Sequence, residues 1–261
     1  MFHIVSSVNI GFTNDKFTNF FLCLHPKVKK CAAMEFDFCR LVRDAVYDNL
    51  DKILSFRDTR RLKPDGSWVT DGDMYVHSLV DSLLCGSRGD VLLVSEEKKP
   101  ELSGLDNAEY VVTLDPIDGT SNFTYGLAEW GVLVSVYRRM KHWQSMICLP
   151  ELHRCLITGD GFRRPAGARL AGLPSIVPPD DYASLAGDIE YRTMGSCAVN
   201  FYYAVTGSYR SIRHYRGAYS WDMLAGLNLA LEHGLKAYVD GRPYCGEWLA
   251  PGIRHRYLVT E

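Results

Sequence analysis

Leu114-Asp115-Pro116-Ile117-Asp118-Gly119-Thr120 is the stretch on which the reading of this chain turns. The apolar, β-prone run at residues 110–114 predicts a strand that delivers the carboxylate of Asp115 at its end. Pro116 fixes the next backbone dihedral, and Asp118 supplies a second carboxylate three residues on. Two carboxylates this close repel each other unless cations sit between them, and oxygen ligands of this kind suit magnesium. Gly119 and Thr120 then present backbone N–H groups, a seat for phosphate if a helix begins there. Asp, Pro and Gly are also turn formers, so a plain turn is the alternative reading.

Two further acidic segments lie outward from this centre. The short apolar strand expected at 91–95 ends in Glu96-Glu97, and Ser220-Trp221-Asp222 opens a helix expected at 221–233. On that helix Leu224, Leu227 and Leu231 share one face, and Gly234 stands where a C-cap glycine belongs. Each segment has an ordinary alternative: Glu96 and Glu97 as the start of a solvated loop, Asp222 as a helix cap. Around them the spacing predicts helices over 34–55, 74–85 and 197–205. Strands of an antiparallel sheet are expected at 130–139 and 145–149, with another strand at 155–158. Residues 159–181, with four prolines and four glycines, read as loop.

Composition narrows the function classes. The 261 residues are 47% hydrophobic and 23% charged, with net charge −2. No basic excess is present to neutralise a phosphate backbone, so nucleic acid is excluded as the main partner. No uninterrupted apolar run approaches the ~18 residues of a membrane span, so the expectation is a soluble, cytoplasmic protein with no membrane partner. The eight cysteines form no CxxC and the histidines no HExxH, which argues against a zinc site. They read as small buried hydrophobes in a reducing compartment. Residues 1–33 fit poorly with the remainder of the chain and read as an N-terminal extension or an over-called start; an ordinary helix is the alternative.

Taken together, residues 114–123, the upstream Glu-Glu pair and Trp221-Asp222-Met223-Leu224-Ala225-Gly226 resemble the inositol monophosphatase family. That family belongs to the lithium-sensitive, magnesium-dependent phosphatases, with fructose-1,6-bisphosphatase and phosphoadenosine phosphate phosphatase as relatives. The resemblance extends to Val69-Thr70-Asp71-Gly72-Asp73, to Gly159-Asp160-Gly161 and to Arg192-Thr193-Met194-Gly195-Ser196, and so covers residues 34–261. It implies a layered αβαβα sandwich, with a metal-binding α+β half at 34–150 and a smaller α/β half at 151–261 that completes the site. It places metal ligands on Glu96, Asp115, the carbonyl of Ile117, Asp118 and Asp222, for two or three magnesium ions per site. Thr120, with Asp73 and Glu96, then matches the groups that orient the attacking water. Gly119 and Thr120 match the phosphate-binding backbone, and Gly195 and Ser196 a substrate-side loop. The implied activity is hydrolysis of a phosphate monoester of a small metabolite, with no covalent intermediate. The alternatives are a nucleotide-directed phosphatase of the phosphoadenosine phosphate type, or a catalytically silent member that binds or regulates. A homodimer is compatible with the resemblance, and the oligomeric state stays open.

The chain departs from the family pattern in three places. Seven residues before Asp222, where the family reads inositol with a glutamate, stands Tyr215, within Arg213-His214-Tyr215-Arg216. A tyrosine cannot accept hydrogen bonds from two sugar hydroxyls, which predicts poor use of inositol phosphate and makes Tyr215 the candidate specificity position. The arginines beside it suit a second anionic group, or form a solvated basic loop. The stretch between Gly161 and Arg192 is also shorter than the family's, which predicts a trimmed second half, and the final helix usual after residue 258 is not expected.

Overall fold

In the computed structural model the described residues are 37–64, 66–85, 91–98, 104–105, 107–165, 167–185 and 187–261. The readings of residues 1–33, and of a helix start at Met34, lie outside them.

Helix α1 (Phe38–Asp48) opens where Asp37 accepts the N–H of Arg40, and it buries Phe38, Cys39, Val42, Ala45 and Val46 on one face. The single helix expected over 34–55 is broken at Asn49, whose Nδ2 donates to Ala45 O at 2.8 Å; α2 (Leu50–Leu54) comes next. A small hairpin, β1 (Arg61–Leu62) and β2 (Trp68–Val69), leads to α3 (Asp71–Leu84). This helix starts three residues before Met74, because Thr70 and Asp73 close a capping box at its N-terminus.

Five strands then build the first sheet in the order β3-β4-β5-β6-β7: Val91–Ser95, Tyr110–Asp118, Gly131–Arg138, Lys141–Leu149 and Arg154–Ile157. The sheet is mixed rather than antiparallel, since β3 runs parallel to β4. Residues 155–157, read with the second half, sit in β7 at the edge of this first sheet. Alternation along the strands serves two cores. Tyr110, Val112 and Leu114 pack with Phe38, Val42, Val76 and Val80 of α1 and α3. Val111, Leu133 and Ile147 face the opposite side, where α5 (Cys197–Val205) and α6 (Ser220–Glu232) lie. Gly226 of α6 admits the Phe201 ring of α5, which a methyl group there would overlap.

Beyond these helices lies a second sheet, β12-β11-β13-β10-β8-β9. Its strands are β8 (Leu170–Leu173), β9 (Glu190–Thr193), β10 (Tyr209–Ala218), β11 (Lys236–Val239), β12 (Arg242–Pro243) and β13 (His255–Thr260). Strand β8 corrects the reading of 159–181 as loop throughout. Its Gly172 reads as a breaker but is a close-packing position, where a methyl group would lie 2.7 Å from Asn200 Oδ1. The layers are those of an αβαβα sandwich. Among the described residues, the outermost helical layer is a 3₁₀ turn, Pro179–Ser184, over Leu173, Val177 and Tyr215. No helix among the described residues is long and apolar enough to cross a membrane.

Candidate active site

Parallel pairing of β3 and β4 brings the first two acids together. Ser95 is the register partner of Leu114, so the next residues, Glu96 and Asp115, emerge side by side. Glu96 N–H also donates to Leu114 O at 3.2 Å. Asp222 reaches the same place from the first turn of α6, its Oδ2 accepting the N–H of Tyr219 at 2.7 Å. Oxygen atoms of Glu96, Asp115 and Asp222 all lie within 4.8 Å of one another. Asp115 is 2% exposed, and its Oδ1 is buried without a hydrogen-bond partner.

Asp118 stands beside this group with one oxygen already used. Its Oδ2 accepts the hydroxyl of Ser196 and the N–H of Ala198 at 2.6 Å, so it ties the end of β4 to the first turn of α5. Ile117 is fully buried, and its carbonyl accepts the Thr120 hydroxyl at 3.0 Å. Asp73 is also fully buried. Its Oδ2 accepts both the N–H and the hydroxyl of Thr70, at 2.7 and 2.6 Å, while Oδ1 has no partner. Thr120 and Asp73 thus bond to other groups here and not to each other.

The electrostatics are those of acids crowded together in the interior. Burial comes first in raising Asp115 well above the ordinary carboxylate range, followed by Glu96, Asp118, Asp222 and Asp73 as like charges. Burial pushes Asp222 up to about 8, with Glu96 and Asp118 adding to it. Burial likewise takes Asp73 to about 7, against the hydrogen bond from Thr70. Asp118 rises to about 6 through burial, held down by the Ser196 hydroxyl and the N–H groups of α5.

The glycines of the candidate phosphate seat are used for close approach. Gly119, at φ +84°, would place a methyl group 2.9 Å from Ser196 Cβ, so the 119–120 backbone and the Gly195-Ser196 loop meet face to face. Tyr215 lies elsewhere in contact terms. Its ring is 6% exposed among Leu173 and Val177, and its hydroxyl meets Ser184 Oγ at 3.1 Å.

Three residues at the site had no role assigned to them from sequence. Lys63, from the β1–β2 hairpin, sets Nζ 2.7 Å from Glu96 Oε1 and 2.8 Å from Glu97 Oε1. His77 Nδ1 meets Ser95 Oγ at 2.9 Å and so fixes α3 to the strand end that carries Glu96. Asn122 bonds across to residue 194. The spacing that reveals a helix face or a strand says nothing about contacts of this range. The six free cysteines among the described residues also qualify the reading of them all as buried, since Cys85 and Cys245 are exposed. A separate cavity of about 660 Å³, lined by His142, Asn228, Glu232 and Glu247 among others, includes none of the clustered acids.

Known proteins share both the sequence pattern and the fold. An inositol-1-monophosphatase from Rhizobium meliloti is 26% identical over 195 residues, covering 66% of this chain and 72% of that protein. One from Mesorhizobium japonicum is 24% identical over 198 residues, with the same coverage. Among solved structures, a staphylococcal IMPase complexed with products has TM-score 0.72 at 17% identity, covering 89% of this chain and 92% of that one. An IMPase/NADP phosphatase complexed with Mg²⁺ and phosphate has TM-score 0.71 at 16% identity, covering 85% and 88%. The sequence profile of the inositol monophosphatase family matches residues 39–177, more than half the chain, and the chain belongs to that family.

Proposed function

We propose that this protein is a magnesium-dependent phosphatase that hydrolyses a phosphate monoester of a small soluble metabolite with water, forming no covalent intermediate. The observation that carries the reading is Asp115 Oδ1, buried and unpartnered among the oxygens of Glu96 and Asp222. Buried polar atoms are ordinarily satisfied, and carboxylates gathered this closely need a cation between them. The donor set is all oxygen, which suits a hard divalent cation such as magnesium. Glu96, Asp115, the Ile117 carbonyl and Asp222 would hold it, with Asp118 beside them and its Oδ2 held by Ser196 and Ala198. Bound magnesium supplies positive charge against the phosphoryl oxygens and lowers the pKa of water.

The chain's own groups supply position and proton transfer. Phosphoryl transfer asks mainly for position and charge neutralisation, so no nucleophilic side chain is needed. Gly119 and Thr120 are assigned to the phosphate through their backbone N–H groups, and Gly195 and Ser196 to the substrate side of the cleft. Asp73 Oδ1 is the atom suited to hold or take a proton, since burial puts this carboxyl near neutrality. The intact acidic set favours this reading over a silent binding protein. The test is a panel of phosphate monoesters, including inositol phosphates, sugar phosphates, bisphosphorylated sugars and phosphorylated nucleotides, assayed with magnesium and with a chelator. Magnesium-dependent release of phosphate from at least one class is expected; release that ignores the chelator, or none from any class, overturns the reading.

A further inference from the structure

We infer that Asn122 is a positioning residue for the substrate side of the site: it fixes the Gly195-Ser196 loop against the 118–120 turn and thereby sets affinity for phosphate and substrate. The inference rests on the phosphatase reading above. Asn122 lies in α4 (Thr120–Thr124), directly after the turn that carries Asp118 and Gly119. Its Nδ2 uses both hydrogens, one on Glu129 O at 2.6 Å and one on Met194 O at 2.7 Å. The second bond joins residues 72 apart in the chain. On the loop side the fit leaves no spare room. Gly195 has φ +74°, and a methyl group there would stand 2.8 Å from Asn122 Oδ1 and 3.0 Å from Nδ2. A side chain with two donors on one atom, at this length, describes asparagine and no smaller residue.

The loop has a second tether of a different kind. Asp118 accepts from Ser196 and Ala198, two and four residues beyond Met194. That tether belongs to a carboxylate of the candidate metal site, so its strength changes with whatever cation Asp118 meets. The Asn122 bond is neutral and lies outside the acidic group, so it holds the loop independently of metal. Without it the 194–196 segment would pivot on Asp118, and Gly195 would lose its registry with Gly119, where a methyl group would stand 2.9 Å from Ser196 Cβ and 3.4 Å from Gly195 O.

The experiment uses the full chain with Asn122→Ala and Asn122→Asp. The second variant keeps the shape but turns acceptor oxygens toward the two carbonyls. Both variants should raise the inhibition constant of inorganic phosphate, and KM for the best monoester, on the order of tenfold to a hundredfold. The magnesium concentration for half activity should stay within about twofold, a separation that a general loss of fold would not produce. Hydrogen–deuterium exchange at the amides of residues 195–198 should accelerate by roughly tenfold in the absence of metal. Unchanged phosphate inhibition and exchange in folded variants overturn the inference. So does a magnesium requirement that rises in step with the phosphate constant, or failure of both variants to fold. Should the wild type hydrolyse no monoester, the proposed function falls, and exchange at 195–198 still decides whether Asn122 is the tether.

Discussion

Lys63 Nζ lies 2.7 Å from Glu96 Oε1 and 2.8 Å from Glu97 Oε1, so an ammonium group from a two-stranded hairpin already meets an acid of the candidate metal site. The Glu97 side chain is 5% exposed, and burial raises its pKa while Lys63 opposes the rise. Lys63→Met would leave that carboxyl buried and unpaired, at a cost of about 1–3 kcal/mol. The melting temperature of the metal-free variant should fall by several degrees, and saturating magnesium should restore part of the loss through Glu96. Equal melting curves for variant and wild type without metal would show the pair to be energetically idle.

Asp115→Asn separates the chemistry from the fold. The Asp115 carboxyl is disfavoured by burial and by four like charges, so its neutral isostere relieves repulsion in the metal-free protein. Melting temperature without metal should therefore stay level or rise. Turnover should drop by roughly a thousandfold, since several kcal/mol of charge stabilisation are lost with this ligand. Near-normal kcat at saturating magnesium would remove Asp115 from the metal set.

Protons and magnesium should compete for the same oxygens. Asp222, Asp73 and Asp118 are pushed up to about 8, 7 and 6, above the ordinary 3.8, so the fold favours their neutral forms. Their contribution to stability is then complete below about pH 4 and is lost as pH rises through 6 to 8. A cation binds the ionised forms and repairs that loss. The rise in melting temperature caused by magnesium should therefore be small near pH 5.5 and large near pH 8. An equal rise at both pH values would mean that Asp222 and Asp118 do not hold the metal.

The range of each interaction decides whether the chain alone makes it legible. Asp222 was readable because it sits in the first turn of a helix, and Asp115 because an apolar run leads straight into it, although β4 does not end there as expected but runs on to Asp118. The neighbourhood of Glu96 and Asp115 needs the parallel register of Ser95 with Leu114, which no periodicity within either strand reveals. Strand β8 was hidden by Gly172 and Pro174, read as breakers, although the glycine is there to let Asn200 approach. The early start of α3 was hidden because the Thr70–Asp73 box draws residues 71–73 into the helix. Lys63 and Asn122 reach partners 33 and 72 residues away, beyond any local pattern.

Tyr215 tests how far a family alignment can be trusted residue by residue. The resemblance places it where an acid would read inositol, which predicts that Tyr215→Glu should improve the use of myo-inositol 1-phosphate. The packing predicts something else. The ring is 6% exposed against Leu173 and Val177, its hydroxyl meets Ser184, and the Arg213 guanidinium lies 5.5 Å from the ring centroid. A carboxylate in that cluster has Arg213 as its one cationic neighbour among these contacts, and the charge would shed its hydration against apolar side chains. Tyr215→Glu should therefore lower the melting temperature markedly, by the equivalent of about 3 kcal/mol, and give no gain in kcat/KM for the inositol phosphate. Tyr215→Phe loses only the Ser184 bond, worth about 1 kcal/mol, and should leave the ranking of substrates unchanged. If the glutamate variant melts like the wild type and gains on myo-inositol 1-phosphate, position 215 faces the substrate in solution. The alignment, and not the packing, would then be the better guide to specificity.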